Sequence, residues 1–243
     1  NMTDYMLIPG YYEKEINLPD KVLKDLSKYK KIALFAAVQF TNLDKIINQL
    51  KQIKIEILTT HGKRTSGKYQ LLGCDCFKDS FEDKKVFDKA DAILYIGDGL
   101  FHPNALLLAQ ISNTKKKPIL LFDPLSNQIK TIDQNTISKN LTKYKSYLMK
   151  FLNAEKIGIL VSTKPGQQYL KSALELKKQI DKECYLFIDD TFNFQNMENF
   201  HFVDVWVNTA CPRIGFDDIL NTPKPLINIT DALDPEKALK KFS

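Results

Sequence analysis

The stretch "KKIALFAAVQFTNLDKIINQLKQIKIEILTT" (residues 30–60) contains a strand, a helix and a second strand in succession. Residues 30–38 are a continuous apolar run of strand length, which is typical of a strand that is buried on both faces. Residues 42–53 then place apolar side chains every three or four positions, which is the spacing of an amphipathic helix. A short β-rich run follows at 55–60. This order predicts two parallel strands joined by a crossover helix.

The same alternation continues along the rest of the chain. Further strands are predicted at 91–99, 117–125, 156–163, 184–190 and 203–210. Further helices are predicted at 102–112, 136–154 and 166–181, and residues 225–235 combine a strand edge with a last short helix. The predicted fold class is therefore α/β, with two tandem parallel-sheet domains. We place their boundary near residue 127, so that domain 1–127 carries Cys74 and domain 128–243 carries Cys211.

Composition excludes several classes of protein. The chain has 243 residues, of which 44% are hydrophobic and 26% charged, so neither a disordered nor a membrane protein is indicated. Thirty-five basic and 29 acidic residues give a net charge of +6, but the lysines are scattered, so we expect no direct nucleic-acid partner. The apolar runs are too short to span a bilayer and no cleavable signal pattern is visible. We expect a cytoplasmic protein with no membrane contact.

Polar loops follow the predicted strands, and ligands of open parallel sheets bind at the carboxyl ends of the strands. In the first unit these loops are "VQFT" (38–41), "THGKRTSGKYQLLGCDC" (60–76), "GDGLFHP" (97–103) and "DPLS" (123–126). In the second unit they are "STKPGQ" (162–167), "DDTFNF" (189–194) and "NTACPRIGFDD" (208–218). The sequence therefore predicts one candidate site at the carboxyl edge of each sheet.

Cys74 and Cys211 both lie in these loops, one in each unit. Soft thiolate ligands select zinc or iron-sulfur clusters, but the spacing alone favours two small thiols buried near loops. No histidine stands at a zinc-type spacing from a cysteine, which argues against a structural zinc site. Cys184 lies inside a predicted strand, where a core thiol is favoured. Cys76, one residue beyond Cys74, is either a ligand or a loop or core thiol.

Other residues of these loops are candidates for ligand binding. Asp98 lies between Gly97 and Gly99, which would let the backbone approach a ligand while the carboxylate holds an amine or a ribose hydroxyl. The alternative is an ordinary turn. Gln39 ends the first strand and is a second candidate for the pocket. Arg213 could bind a carboxylate through two hydrogen bonds.

The remaining charged residues allow simpler interpretations. The basic loop of His61, Lys63, Arg64 and Lys68 could attract a carboxylate or an acidic partner, but a solvated loop is the favoured interpretation. The pair Asp217 and Asp218 is interpreted as a cap of the next helix. We assign no acid-base role to His102, and Trp206 is predicted to be core.

Several longer motifs carry a family resemblance. They are "GKYQLLGCDCF" (67–77), "YIGDGLFHPNALLLA" (95–109), "LLFDPLSNQI" (120–129), "VNTACPRIGFDD" (207–218) and "PKPLINITDAL" (223–233). In this order they resemble the diphthamide synthase family, in particular its archaeal homodimeric branch, from about residue 5 to the C-terminus. The resemblance implies α/β domains that each give one cysteine to a four-iron four-sulfur cluster, with the fourth iron open to S-adenosylmethionine.

The resemblance also implies a reaction and a substrate. A non-standard radical mechanism transfers a 3-amino-3-carboxypropyl group from S-adenosylmethionine to a histidine of elongation factor 2, and methylthioadenosine is released. Cys74 matches the second cluster cysteine of the family and Cys211 the third. Gln39, Gly97, Asp98, Gly99 and Arg213 are the residues expected to bind the cofactor.

The first cluster cysteine of the family belongs to an N-terminal domain that the resemblance does not find in this sequence. Three interpretations remain open: a separate or removed N-terminal domain, Cys76 as a replacement ligand, and a non-catalytic subunit without a cluster. We therefore expect either a homodimer or a complex with a separate N-terminal-domain chain. A further possibility is an α/β enzyme that uses the same loops for an unrelated nucleotide-like ligand.

Overall fold

The computed structural model describes residues 10–65, 67–113, 115–164 and 167–242. The chain divides into two compact units, the first ending at Gln134 and the second beginning at Asn135. This division lies beyond residue 127, because Gln128–Thr131 still forms a strand of the first sheet. Both units contain a mainly parallel sheet with helices, which confirms the predicted α/β fold class.

The first unit begins with a short helix that the sequence analysis did not predict, followed by the predicted strand-helix-strand pattern. Its elements are α1 Asp20–Leu26, β1 Lys31–Ala36, α2 Asp44–Gln52, β2 Glu56–Leu58, α3 Val86–Lys89, β3 Ala92–Ile96, α4 Phe101–Ala109, β4 Ile119–Asp123 and β5 Gln128–Thr131. Five of the six residues of β1 and all five residues of β3 are buried, as their continuous apolar runs predict.

The second unit has four strands and five helices among the described residues. Its elements are α5 Ser138–Asn153, β6 Lys156–Ser162, α6 Leu170–Gln179, β7 Glu183–Asp189, β8 Val205–Asn208, α7 Arg213–Asp217, β9 Leu226–Asn228, α8 Ile229–Ala232 and α9 Pro235–Lys241. The predicted helix 166–181 begins only at Leu170, and residues 165 and 166 of the predicted loop 162–167 lie outside the described residues. Among the described residues, no helix has the length and apolarity that a membrane crossing requires.

The strand orders of the two sheets follow the same plan. The first sheet is ordered β2-β1-β3-β4-β5 and the second β7-β6-β8-β9. In the first sheet β2 lies on one side of β1, and β3 to β5 lie on its other side. In the second sheet β7 lies on one side of β6, and β8 and β9 lie on its other side. The reversal falls between β1 and β3 in the first sheet and between β6 and β8 in the second. Ligands of open α/β sheets bind at the carboxyl ends of the strands at such a reversal.

Strand β5 is the one antiparallel addition to these sheets, and the sequence analysis missed it. A tight turn after β4 reverses the chain, with Asn127 at a φ of 55°. The Asp123 carboxylate accepts hydrogen bonds from Leu125 N (2.9 Å) and Ser126 Oγ (2.7 Å), which fixes the turn. Because β5 is short and largely exposed, its sequence lacks the apolar run by which strands are predicted.

The core of the second unit is aromatic and confirms the prediction for Trp206. Its indole is 1% exposed and packs against the rings of Phe187 (centroids 4.5 Å apart) and Phe200 (5.9 Å). Gly158 pairs with Trp206 across β6 and β8, and a Cβ at position 158 would lie 2.6 Å from the indole. Cys184 is also buried, as predicted. The indole therefore occupies the space that a side chain at position 158 would need.

We expect Gly158→Ala to destabilise the second unit by about 1–3 kcal/mol, because the added methyl group overpacks the buried indole. Urea unfolding followed by Trp206 fluorescence measures the change. Gly10→Ala is the control, since a Cβ at position 10 has no atom within 4 Å. Equal unfolding midpoints for the two variants would contradict this account of the core.

Candidate functional site

Two predicted site residues meet where the strand order of the first sheet reverses. Gln39 lies in the turn after β1 and Asp98 in the turn after β3. The Gln39 Nε2 donates to Asp98 Oδ1 at 3.4 Å, and both side chains remain at least partly accessible. Gly99, with a φ of 62°, adopts the left-handed conformation that favours glycine. The structure thus brings a carboxylate and an amide together at the position where a ligand of this fold binds.

Tyr95 adds a buried hydroxyl beside this pair, and the sequence analysis did not select it. Its ring lies over the backbone of Gly97, where a Cβ would come within 2.8 Å of the hydroxyl oxygen. Burial, together with the charge of Asp98, raises the pKa of Tyr95 above its usual value. In the described parts of the chain, the hydroxyl has no hydrogen-bond partner. The only signal in the sequence was a tyrosine near the end of an otherwise aliphatic strand.

The ring of His102 packs against the ring of this tyrosine. The two rings are nearly parallel, with an interplanar angle of 16° and centroids 6.4 Å apart. His102 belongs to the first turn of α4, directly after the Gly97–Gly99 loop. The ring contact gives the imidazole a packing role beside the candidate site.

The loop that carries Cys74 is anchored to the end of β1. Ala36 N donates to Tyr69 O at 2.7 Å, and Leu71 N donates to Ala36 O at 2.9 Å. This short parallel bridge continues along β1 beyond the last residue of β2. The chain then turns through Gly73, where a Cβ would lie 2.2 Å from the ring of Phe101. Since Phe101 begins α4, the Cys74 loop packs directly against the segment that follows Gly99.

A buried carboxylate closes the turn around Cys74. Asp75 is 1% exposed, its Oδ2 accepts from Leu72 N at 2.9 Å, and its own N–H donates to Leu72 O at 3.0 Å. Burial raises the pKa of Asp75, although the Leu72 N–H and the charge of Arg64 act in the opposite direction. The half-buried Cys74 therefore lies in a turn that its neighbouring side chain fixes from the interior.

The basic loop supplies one cation next to Cys74. Arg64 Nη1 lies 3.8 Å from the Cys74 Sγ. Arg64, Lys63 and Lys68 are all exposed. Cys76 differs from Cys74, because its side chain is completely buried. This burial favours the interpretation of Cys76 as a core thiol.

In the second unit, Cys211 lies in the loop that follows β8, where the strand order reverses. Asn208, the last residue of β8, folds its side chain over this loop. Its Nδ2 donates to Cys211 O at 2.9 Å, and its Oδ1 accepts from Ala210 N at 3.0 Å. Cys211 itself is half-buried. The backbone around this thiol is therefore held by a buried amide.

Arg213 is placed differently from what the sequence predicted. The side chain is 3% exposed and forms an ion pair with Asp217 inside α7, so its charge already has a carboxylate partner. The prediction that Asp217 and Asp218 cap the next helix is wrong, because they close α7 at its carboxyl end. Burial, followed by the charge of Asp217, raises the pKa of Asp218.

The chemistry of the available donors fits a thiolate-bound cluster in part. Cys74 and Cys211 are half-buried and carried by strand-end loops, one in each unit. Soft sulfur ligands of this kind select iron-sulfur clusters. Across residues 10–65, 67–113, 115–164 and 167–242, no group of three or more His, Cys, Asp or Glu side chains could hold a metal ion. Among the described residues, the donors therefore fit such a cluster only as single thiols, one from each unit.

Comparison with known proteins identifies the family. The family model described as "Putative diphthamide synthesis protein" matches residues 5–233. The chain belongs to this family. Within this diphthamide synthesis family, the 2-(3-amino-3-carboxypropyl)histidine synthase of Pyrococcus horikoshii is 30% identical over 234 residues, covering 91% of the chain and 62% of the relative. The enzyme of the same name from Methanocaldococcus jannaschii is 25% identical, with 91% and 58% covered.

A solved structure of the diphthamide synthesis family has the same fold. The crystal structure of Dph2 from Pyrococcus horikoshii with a 4Fe-4S cluster matches with a TM-score of 0.68 and 26% identity, covering 92% of this chain and 61% of that one. The family resemblance inferred from the sequence motifs is thereby confirmed. The chain spans about three-fifths of the length of these archaeal relatives.

The buried Asp75 leads to a prediction about pH. Because its pKa is raised from the usual 3.8, its contribution to stability is complete below that value and is lost as the pH rises through the folded-state pKa. Asp75→Asn keeps an oxygen that can accept from Leu72 N and removes the ionisation. We expect the free energy of unfolding of the variant to increase relative to wild type between about pH 4 and pH 7.

Urea unfolding of both proteins at the two pH values measures this difference. If wild type and Asp75→Asn change in parallel with pH, the carboxylate carries no burial penalty and the proposed role of Asp75 in the Cys74 turn is wrong.

Proposed function

We propose that this chain forms part of an iron-sulfur enzyme that transfers a 3-amino-3-carboxypropyl group from S-adenosylmethionine to a histidine of elongation factor 2. The observation that carries the proposal is the pair of thiols Cys74 and Cys211, each in a strand-end loop of one parallel sheet, within the family match at 5–233. The names of the archaeal relatives specify the transferred group and the histidine. The Pyrococcus horikoshii Dph2 structure contains a 4Fe-4S cluster.

In this proposal Cys74 and Cys211 are cluster ligands. When bound, the cluster supplies the electron that breaks the bond between the sulfonium of S-adenosylmethionine and the γ-carbon of its methionine part. A third thiolate comes from a further domain or chain, or from Cys76 after the loop around it has rearranged. The complete burial of Cys76 favours the first source.

The crevice between β1 and β3 supplies the groups that would hold the nucleoside or amino-acid part of S-adenosylmethionine. Asp98 can accept from an amine or a ribose hydroxyl, and Gln39 keeps its carboxylate in place through the 3.4 Å hydrogen bond. The Tyr95 hydroxyl is buried beside this pair, and the Tyr95 ring covers the backbone of Gly97, so we assign neither group a direct contact with the ligand. The exposed backbone of Gly99 allows the ligand to approach closely.

The two arginines, Arg64 and Arg213, differ in burial and in the group beside their charge. Arg64 lies beside Cys74 at the exposed edge of its loop, where its cation would stabilise a thiolate or the carboxylate of a bound methionine. Arg213 is paired with Asp217 and buried, so we assign it to the support of α7 instead of direct binding.

The location, substrate and partner chains of the enzyme are also proposed. We propose a cytoplasmic protein with elongation factor 2 as its substrate, acting as a homodimer or with a separate chain that carries an N-terminal domain. The lysines are scattered along the sequence, which supports the expectation of no direct nucleic-acid partner. A membrane partner is not part of the proposal.

A second candidate function is that of a non-catalytic or split subunit. The name of one relative supports this candidate. A relative from Yarrowia lipolytica is named "2-(3-amino-3-carboxypropyl)histidine synthase subunit 1" and is 25% identical over 227 residues. Such a subunit would bind elongation factor 2 or a catalytic chain.

The enzymatic proposal is tested by anaerobic reconstitution with iron and sulfide, followed by dithionite and S-adenosylmethionine. We expect release of methylthioadenosine, measured by chromatography. Cys74→Ser and Cys211→Ser should each lower bound iron and product by at least about tenfold, because each removes a ligand. Cys184→Ala is the matched control, because this thiol is buried within β7, and it should retain both.

Cys76→Ala completes the series, since a loss of iron would identify Cys76 as the third ligand. An iron-free protein that releases no methylthioadenosine, also when a chain with the N-terminal domain is added, would overturn the enzymatic proposal. Affinity capture with elongation factor 2 and with related synthase chains then tests the second candidate, which requires at least one of them to bind.

Ligand binding by the β1–β3 crevice is tested by thermal melting. S-adenosylmethionine should raise the melting temperature more than ordinary nucleotides do, because only a ligand of the native state stabilises it. Asp98→Asn should weaken binding about tenfold, equal to about 1.4 kcal/mol of lost stabilisation at saturating ligand. Asp25→Asn, an exposed carboxylate on α1, is the control. A larger shift with ordinary nucleotides would favour an unrelated nucleotide-binding enzyme.

A further inference from the structure

Two asparagines at the ends of neighbouring strands form one hydrogen-bonded unit beneath the Cys211 loop. Asn208 ends β8, Asn228 ends β9, and their exposed fractions are 1% and 2%. The Asn208 Nδ2 donates to Asn228 Oδ1 at 2.9 Å. Both side chains are therefore polar groups in the interior, where an unpaired amide would cost about 1–3 kcal/mol. The hydrogen bond between them satisfies one donor of Asn208 and one acceptor of Asn228.

The remaining hydrogen-bonding groups of the pair bind the backbone on both sides of Cys211. Asn208 contacts Ala210 N and Cys211 O, and the Asn228 Nδ2 donates to Pro212 O at 2.9 Å. Three consecutive residues are thus fixed by two side chains. Cys211 O also accepts from Ile214 N at 3.1 Å, which ties the loop to the start of α7.

Helix α7 packs closely against the Asn228 side chain of the asparagine pair. A Cβ at Gly215 would lie 2.6 Å from Asn228 Oδ1 and 2.7 Å from its Nδ2. Only a glycine at this position lets the helix backbone approach the amide so closely. The short helix after Cys211 therefore lies against the same side chain that binds Pro212.

A second set of buried contacts holds the backbone N–H of Asn228. The Tyr144 hydroxyl accepts from Asn228 N at 2.9 Å and donates to Asp231 Oδ2 at 2.6 Å. Lys241 Nζ lies 3.2 Å from Asp231 Oδ1. Burial and the charge of Asp231 raise the pKa of Tyr144, which keeps the phenol in its donating form. The pair is thus connected to α5, α8 and α9.

We propose that Asn208 and Asn228 are positioning residues that hold the Cys211 loop in its ligand-binding conformation before any metal binds. The thiol of Cys211 is half-buried, whereas the backbone on both sides of it is bound to the interior by amide hydrogen bonds. A loop fixed in advance loses less conformational entropy when the thiolate becomes a ligand. The role in metal binding rests on the proposed function, but the rigidity of the loop does not.

The test compares Asn208→Asp with wild type in the full chain without added metal. The aspartate keeps the shape of the side chain but loses the two N–H donations to Cys211 O and Asn228 Oδ1. We expect hydrogen exchange of the peptide containing Ala210 and Cys211 to become about tenfold faster. Exchange in β6 should stay unchanged, and the alkylation rate of Cys211 should rise about threefold relative to that of Cys74 in the same chain.

Asn140→Asp is the matched control. Its Nδ2 donates to Phe216 O at 2.7 Å, so the variant also loses one amide hydrogen bond of the second unit, but none to the Cys211 loop. A purely structural effect would accelerate exchange over the whole unit in both variants, and this result would overturn the proposal. Unchanged exchange and alkylation in a folded Asn208→Asp protein would overturn it as well.

Asn228→Asp provides a second variant with a smaller change. It loses only the donation to Pro212 O and keeps the acceptor for Asn208, so we expect the same local effect at lower magnitude. If both variants unfold at 25 °C by circular dichroism, the pair supports the fold as a whole and the proposal is wrong.

Bound iron after anaerobic reconstitution separates the two proposals. A drop in iron for Asn208→Asp, with Asn140→Asp unchanged, supports the positioning role in metal binding. A wild-type chain that binds no iron would contradict the proposed function, while the exchange result would still decide whether the asparagines hold the loop.

Discussion

Parallel hydrogen bonding between β1 and β3, and between β6 and β8, determines where the candidate functional side chains of each unit lie. Parallel strands end at the same edge of a sheet, so every loop after a strand is brought to that edge. In the first sheet this places Gln39 within hydrogen-bond distance of Asp98 although 59 positions separate them. In the second it places Cys211 next to the strand pair at which the order reverses. Side-chain chemistry in both units depends on this backbone arrangement.

The two cysteine loops are fixed by different kinds of buried polar group. Asp75 binds the turn around Cys74 with a carboxylate, whose burial disfavours its charged form. Asn208 binds the loop around Cys211 with a neutral amide, which offers both donors and an acceptor without the desolvation of a charge. The second loop is therefore fixed by more side-chain hydrogen bonds, from a group that does not ionise.

Much of the fold could be predicted from the sequence because its parallel strands are continuous apolar runs. The strands β1, β3, β4, β6 and β8 all lie within predicted segments. Short elements were missed, since α3 and β5 contain only four residues each and show no periodicity. Local pattern carries no information about elements whose formation depends on tertiary contacts.

The candidate site was predictable only in part. Strand-end loops identified Gln39, Asp98, Cys74 and Cys211, because topology brings such loops to one edge. Tyr95 lies inside β3, and Asn208 and Asn228 are the last residues of β8 and β9, where a single polar residue after apolar ones resembles an ordinary strand residue.

The antiparallel strand β5 has a consequence for solubility. A parallel sheet that ended at β4 would expose unpaired N–H and C=O groups to strands of other molecules. Adding β5 needs only the Asp123 turn, whereas another parallel strand would need a complete crossover. The new outer strand is short, and its exposed Lys130 carries a charge that resists pairing with a further chain. A few residues thus protect this edge of the sheet against self-association.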